Sequence, residues 1–369
     1  MGRSHDRVEK ARKRTGLEAV PQHCARHQER LSSVRSDVRK RTAWEAARRD
    51  MKEGAMVDCG LRSLLDNKRA QIRRPDPAVS IDKYRHFLDA PLAMLSGCPI
   101  EEVSDIEIDA PTGRVAARLY RPSPRGGAAP FALFFHGGGF VAGSLDTHDA
   151  LCRKLARLSG IHILSVSYRL APEHPHPAAL QDCMAVLAWL AAHGRELGLD
   201  PDRVAICGDS AGGYLAVLAA LDVRRNGLAL DLRFLGLIYP VVDPSCNSAS
   251  MQELAEGYLL TRDAMQWFWE AFSGTRPEAA AVPSLLAEDL SDLPPTLILT
   301  AEFDPLRDEG AALAECLAQA EVDATLHCYP GMIHGFVSLP HLTFVASSAV
   351  QKLGDALSAH LTMTSLSVD

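Results

Sequence analysis

The stretch Arg203-Val204-Ala205-Ile206-Cys207-Gly208-Asp209-Ser210-Ala211-Gly212-Gly213 constrains the fold of this chain more than any other. A short apolar run stops at a glycine, and a run of helical character, Tyr214 to Ala220, starts a few residues after the serine. This reads as strand, sharp turn and helix. Gly208 and Gly212 flank Ser210 where a tight turn leaves little room for a Cβ, and small neighbours let strand and helix approach closely. A serine so placed is held out at the carboxyl end of a strand and faces the positive end of the following helix. G-x-S-x-G also arises by chance, so the reading needs an oxyanion hole upstream, then an acid and a histidine downstream, in that order.

A chain of 369 residues, 47% of them hydrophobic, can bury one large core, which favours a single α/β domain with a smaller appendage. The nine cysteines are odd in number and contain no C-x-x-C pair, the pattern of reduced thiols, so the expected location is cytoplasmic. No apolar run is long enough to span a bilayer and the N-terminus lacks the apolar stretch of a secretory signal, so stable membrane insertion is not expected. Charge is unevenly spread: residues 1–74 hold 20 Lys and Arg against 10 Asp and Glu, and the remainder holds 19 against 36. With one Trp and no Tyr or Phe for stacking on bases, residues 1–74 read as a basic, poorly ordered extension, and no nucleic-acid partner is expected.

Pro75-Asp76-Pro77 marks a boundary, and Ile81, Tyr84, Phe87, Leu88 and Leu92 beyond it recur at helical spacing. Residues 103–109 and 114–120 alternate in polarity like a hairpin of half-buried strands. The continuous apolar run at 131–135 and the runs at 161–167, 235–239, 296–300 and 325–329 read as strands of the sheet, with helical stretches at 147–158 and 178–192 among them. Strands alternating with helices make this an α/β chain with a mostly parallel central sheet and helices on both faces. Residues 243–283 interrupt the alternation with Met265, Trp267, Phe268, Trp269 and Phe272. A helix this aromatic is either core or a lid over a pocket, and position alone favours core.

Acyl transfer from a serine needs donors for the oxygen that becomes negative, and backbone N–H groups supply them without rearrangement. In His136-Gly137-Gly138-Gly139-Phe140 three glycines leave the backbone unshielded, so its N–H groups can converge with that of Ala211. A P-loop would need Lys-Ser/Thr after its glycines and a dinucleotide fingerprint needs G-x-G-x-x-G opening a helix, and neither is present. The acid candidate is Asp304 in Thr300-Ala301-Glu302-Phe303-Asp304-Pro305-Leu306-Arg307-Asp308-Glu309, just past an apolar strand. Glu302, Asp308 and Glu309 are its rivals, the last two falling in the next helix, where they would be solvated or pair with Arg307. The base candidate is His334, on a loop with Gly331 and Gly335, which completes the order Ser, Asp, His. His174-Pro175-His176-Pro177 has no third ligand nearby, so no metal is expected.

These blocks, with Tyr168-Arg169-Leu170-Ala171-Pro172-Glu173, resemble in identity and spacing the hormone-sensitive lipase family of α/β-hydrolases, the bacterial family IV esterases, across about residues 76–360. The Gly208-Asp209-Ser210-Ala211-Gly212 form is similar to the larger of the family's two elbow subgroups. The resemblance implies an α/β-hydrolase fold with Ser210 as nucleophile, His334 as base, Asp304 as its orienting acid, and the N–H groups of Gly138, Gly139 and Ala211 as the oxyanion hole. It also implies a helical cap, which reverses the preference for core at the Trp-rich stretch. The expected layout is an extension at 1–74, a cap segment at 75–100, the catalytic domain at 101–242 and 284–369, and a cap insertion at 243–283. Phe140, Trp267, Phe268 and Phe336 are candidate pocket walls. The implied activity is hydrolysis of short- to medium-chain uncharged carboxylic esters with no cofactor. Amide, lactone or carbamate hydrolysis by the same residues, or binding of a small molecule without chemistry, are the alternatives, and a homodimer through an edge strand is a further expectation.

Overall fold

A computed structural model describes residues 56–111, 113–124, 127–274 and 282–362, all within one compact unit. Its centre is an eight-stranded sheet of order β1-β2-β4-β3-β5-β6-β7-β8. The strands are β1 (Glu102–Ala110), β2 (Gly113–Arg121), β3 (Ala129–Phe135), β4 (His162–Val166), β5 (Leu199–Asp209), β6 (Leu232–Ile238), β7 (Thr296–Phe303) and β8 (Ala324–Ile333). The hairpin β1–β2 is antiparallel and β2 meets β4 antiparallel, whereas every pair from β4 to β8 is parallel.

The continuous apolar runs are buried on both faces because successive side chains of a strand point to opposite sides. In β3, Phe131, Leu133 and Phe135 enter one core, while Ala132 and Phe134 enter the other. The first core is closed by α4 (Ala178–His193), α5 (Ala211–Asn226) and α8 (Arg307–Gln319), through residues such as Leu187, Leu215 and Leu313. The second is closed by α3 (Asp149–Ser159) and α9 (Val345–Thr362), through Leu155, Val350 and Leu353. Helix α5 begins at the residue after Ser210 and stops where Gly227 takes φ 60°, the left-handed conformation that ends many helices.

Residues 56–74 depart from the expectation of a poorly ordered extension, whose residues 1–55 lie outside the described residues. Asp58 caps α1 (Cys59–Asp66) by accepting the Gly60 N–H at 2.8 Å, and Leu61 of that helix is fully buried in the second core. The Asp58 N–H donates to the Gly331 carbonyl at 2.9 Å, and Ile72 exchanges backbone hydrogen bonds with Leu259 and Thr261 at 2.7 and 3.2 Å. The physical reason is local: Leu61, Leu64 and Leu65 form an apolar stripe inside a strongly charged stretch, and the stripe has a core to cover.

Two helical segments outside the α/β alternation meet each other. They are α2 (Ile81–Ala93), and α7 (Arg262–Ser273) with the short α6 (Ala249–Glu253) before it. Thr261 starts α7 by accepting the Ala264 N–H at 3.2 Å. Tyr84 of α2 packs edge-on against Trp267 of α7 with ring centroids 5.2 Å apart, and its hydroxyl donates to the Arg73 carbonyl at 2.7 Å. Arg85 joins α2 to the sheet loops by donating to the Val141 and Ala171 carbonyls at 2.7 and 3.0 Å.

Candidate active site

Four parallel strands deliver the chemistry to one edge of the sheet. β3 ends at Phe135 before His136, β5 at Asp209 before Ser210, β7 at Phe303 before Asp304, and β8 at Ile333 before His334. In a parallel sheet all carboxyl ends lie on the same side, where open α/β folds bind their ligands.

Ser210 takes φ 53° and ψ −117°, a positive φ rare outside glycine and a mark of strain held by the surroundings. Its N–H donates to the Ile238 carbonyl at 2.8 Å, and its own carbonyl accepts the Gly213 and Val241 N–H groups at 3.0 and 3.1 Å. A Cβ on Gly208 would fall 2.3 Å from the Gly212 oxygen, and one on Gly212 would fall 1.8 Å from the Phe135 oxygen. The glycine spacing is therefore a steric requirement.

His334 Nε2 lies 3.0 Å from Ser210 Oγ and its Nδ1 lies 2.8 Å from Asp304 Oδ2. A carboxylate only accepts, so Nδ1 carries the proton and Nε2 faces the hydroxyl as an acceptor. Asp304 is fully enclosed, and its Oδ1 accepts the Leu306 N–H at 2.8 Å. Its rivals are engaged elsewhere. Glu302 Oε2 accepts the Gly331 N–H at 2.8 Å, and Asp308 pairs with Arg307 at 2.8 Å. Glu309 corrects the expectation of a solvated or Arg307-paired side chain: it is buried, and Oε2 accepts the Val242 and Asp243 N–H groups at 2.9 and 3.1 Å. Oε1 has no partner among the described residues, and burial pushes the carboxyl up to about 8.

Gly138 and Gly139 take φ 120° and 63°. Among the described residues no acceptor is found for the N–H groups of Gly138, Gly139 and Ala211. The Gly138 carbonyl is tied back by the Val141 and Ala142 N–H groups at 3.1 and 2.9 Å, which leaves the amide edges of the loop free.

The aromatic candidates separate. Phe140 is fully buried and stacks on Phe272 at 3.9 Å, and Phe336 is fully buried between Tyr239 and Tyr329 at 6.0 and 5.2 Å. Both are core residues, which corrects their assignment to pocket walls; each follows a glycine of the site, but its ring turns to the hydrophobic side. Trp267 lies against Tyr84 between the helical segments. Phe268 is buried in the first core as well, but it meets the glycine loop after β3, since a Cβ on Gly139 would fall 2.5 Å from its ring.

Sequence reasoning passed over two buried side chains, Asp209 and His148. Asp209 Oδ1 accepts the Gly137 N–H at 2.8 Å and lies 3.1 Å from His148 Nε2. Burial alone would raise the Asp209 carboxyl, but the His148 ring and the Gly137 N–H hold it below its ordinary value. His136 is also buried; burial lowers its imidazole to about 4, and its Nδ1 donates to the Gly137 carbonyl at 2.8 Å. Neither Asp209 nor His148 carries a periodicity or motif of its own, although Asp209 sits inside the elbow.

A sheet of this topology, with a serine elbow, a histidine and an acid on its carboxyl edge, defines an α/β-hydrolase, and the sequence profile of the alpha/beta hydrolase fold family matches residues 132–338. The chain belongs to that family, in the hormone-sensitive lipase branch that its motifs resemble. It is 43% identical to carboxylic ester hydrolase LipN of Mycobacterium tuberculosis over 269 residues, covering 70% of this chain and 71% of LipN. It is 36% identical to the ethyl acetate hydrolase of Pseudomonas putida over 78% of this chain and 92% of that protein. Among solved structures, the esterase of the hyperthermophilic archaeon Pyrobaculum calidifontis superposes with a TM-score of 0.76 at 37% identity, covering 82% of this chain and 98% of that one.

Proposed function

We propose that this chain is a serine carboxylesterase that hydrolyses short- to medium-chain uncharged carboxylic esters through an acyl-serine at Ser210. The observation that carries the reading is the unbroken line from Asp304 through His334 to Ser210 Oγ, at 2.8 and 3.0 Å, beside three N–H groups that have no acceptor among the described residues. The names of the relatives, ester hydrolases and esterases, agree with it.

Ser210 Oγ attacks the ester carbonyl as His334 Nε2 takes its proton. Asp304 keeps the ring in the tautomer that leaves Nε2 open and stabilises the imidazolium once it forms. The carbonyl oxygen becomes negative where the Gly138, Gly139 and Ala211 amides converge, and donors fixed in advance stabilise it without reorganisation. Collapse expels the alcohol, protonated by His334. Water, activated by the same ring, then releases the acid and regenerates Ser210.

The segments around α2 and α7 serve as a cap, with Phe268 over Gly139 bounding the space above the oxyanion loop. No described helix is long and apolar enough to cross a membrane. A cytoplasmic location and a homodimer through an edge strand, β1 or β8, complete the reading; sedimentation velocity tests the dimer.

A p-nitrophenyl ester series from acetate to decanoate tests the function. Expected are turnover of the shorter members, stoichiometric labelling of Ser210 by an organophosphonate, and loss of both in Ser210→Ala. Turnover that survives in Ser210→Ala would sink the assignment.

A further inference from the structure

The oxyanion hole is split between two elements. Gly138 and Gly139 belong to the loop after β3, whereas Ala211 belongs to the turn after β5. Their N–H groups act on one oxygen only if the loop and the turn keep a fixed spacing, and Asp209 spans them. It sits on the β5 turn, one residue before Ser210, and its carboxylate reaches the β3 loop to take the Gly137 N–H at 2.8 Å. The approach is close enough that a Cβ on Gly137 would fall 2.4 Å from Asp209 Oδ2. The loop is held by two further contacts on adjacent peptides: the Tyr168 hydroxyl donates to the His136 carbonyl at 2.6 Å, and His136 Nδ1 donates to the Gly137 carbonyl at 2.8 Å.

A bare carboxylate behind the hole would work against it, because a negative charge in a dry interior repels the oxygen that is gaining charge nearby. His148 answers that. Its Nε2 lies 3.1 Å from Asp209 Oδ1, an acceptor-only atom, so this nitrogen carries a proton and donates it into the carboxylate. Its Nδ1 is held at 2.8 Å by Thr147 Oγ1, which accepts the Ser144 N–H at 2.8 Å, so the ring is anchored at both ends. His148 and Asp209 are 4% and 6% exposed, so no solvent substitutes for either partner.

We propose that Asp209 and His148 form an inner pair of positioning residues: Asp209 fixes the β3 loop against the serine turn, and His148 offsets its charge so that the oxyanion hole stays favourable to a negative oxygen. The proposal rests on the esterase reading given above and assigns the pair no contact with substrate.

The pair predicts a pattern that a merely structural role does not. His148→Phe keeps the ring volume but leaves the carboxylate uncompensated, and kcat should fall about 100-fold with KM little changed. Asp209→Asn keeps an oxygen for Gly137 without the charge and should lower kcat only about tenfold. Because a neutral amide at position 209 no longer needs its partner, the double variant should match Asp209→Asn alone instead of multiplying the two losses, and so recover activity relative to His148→Phe.

The measurements are kcat and KM on p-nitrophenyl butyrate, the inhibition constant of a trifluoromethyl ketone that forms an oxyanion on Ser210, and that of n-butanol, which forms none. The ketone constant should weaken in step with kcat while that of butanol stays put. Multiplying losses in the double variant, or ketone and butanol constants that weaken together, overturn the proposal. Nitrogen-15 NMR of the histidine rings gives a readout without turnover. A His148 Nε2 that bears no hydrogen-bonded proton in the wild-type protein overturns the pair even if no ester is hydrolysed, whereas absent hydrolysis with that proton present counts against the esterase reading alone.

Discussion

Glu309 offers a quantitative test of how this interior handles charge. Burial raises its carboxyl from 4.5 to about 8, so the folded state keeps a proton that the unfolded chain releases. For an acid shifted this way, the stabilisation is complete below 4.5 and is lost as pH rises through the interval up to about 8. At about 1.4 kcal/mol per pH unit, the loss between about pH 5 and about pH 8.5 comes to about 4 kcal/mol. Glu309→Gln removes the titration and retains an oxygen for the Val242 and Asp243 N–H groups; its amide nitrogen takes the place of Oε1, which has no partner among the described residues. The variant should therefore be close to wild type in stability near pH 5 and should exceed it increasingly as pH rises, by about 4 kcal/mol near pH 8.5. Urea unfolding followed by tryptophan fluorescence across this range measures the difference. Parallel curves for the two proteins, within about 1 kcal/mol throughout, would refute the argument that Glu309 is held neutral by its surroundings.

Other substitutions probe the remaining links. Ser210→Ala should lower kcat by about 10⁵ to 10⁶, and adding His334→Ala should change little more because the residues act as a unit; losses that multiply would contradict that coupling. Gly212→Ala places a Cβ 1.8 Å from the Phe135 oxygen, so the elbow must shift, with loss of ester hydrolysis and a lower Tm by calorimetry; wild-type kcat in this variant would show the turn to be looser than described. Phe268→Leu should open space over Gly139 and move the best p-nitrophenyl substrate toward longer or branched acyl groups, and an unchanged kcat/KM profile would remove Phe268 from the pocket wall.

The reacting groups were legible in the sequence because their constraints are local: a strand must end, a glycine must flank, and Ser210, Asp304 and His334 each follow an apolar run by a residue or two. The sheet was legible for the same reason, since 131–135 and 204–207 are continuous apolar runs that only a doubly covered strand needs. Helix α1 was not, because a single apolar stripe at Leu61, Leu64 and Leu65 is drowned by the arginines around it. Asp209 and His148 were missed, and Glu309 was expected in solvent, for a different reason. A buried charge is tolerated only through partners distant in the chain, such as Gly137 with Asp209 or Val242 with Glu309, and no window of sequence contains both. Phe140 and Phe336 were misjudged because adjacency to a reacting residue says nothing about which way a ring turns.

The left-handed backbone of Ser210 sets the protein's two demands against each other at one atom. A glycine would occupy φ 53° without the steric penalty of a side chain, relaxing about 1 kcal/mol or more. Selection for robustness alone would thus erode the reacting hydroxyl. Screens that enrich thermally hardened versions of this chain should encounter inactive winners at position 210 unless catalysis is scored in the same round.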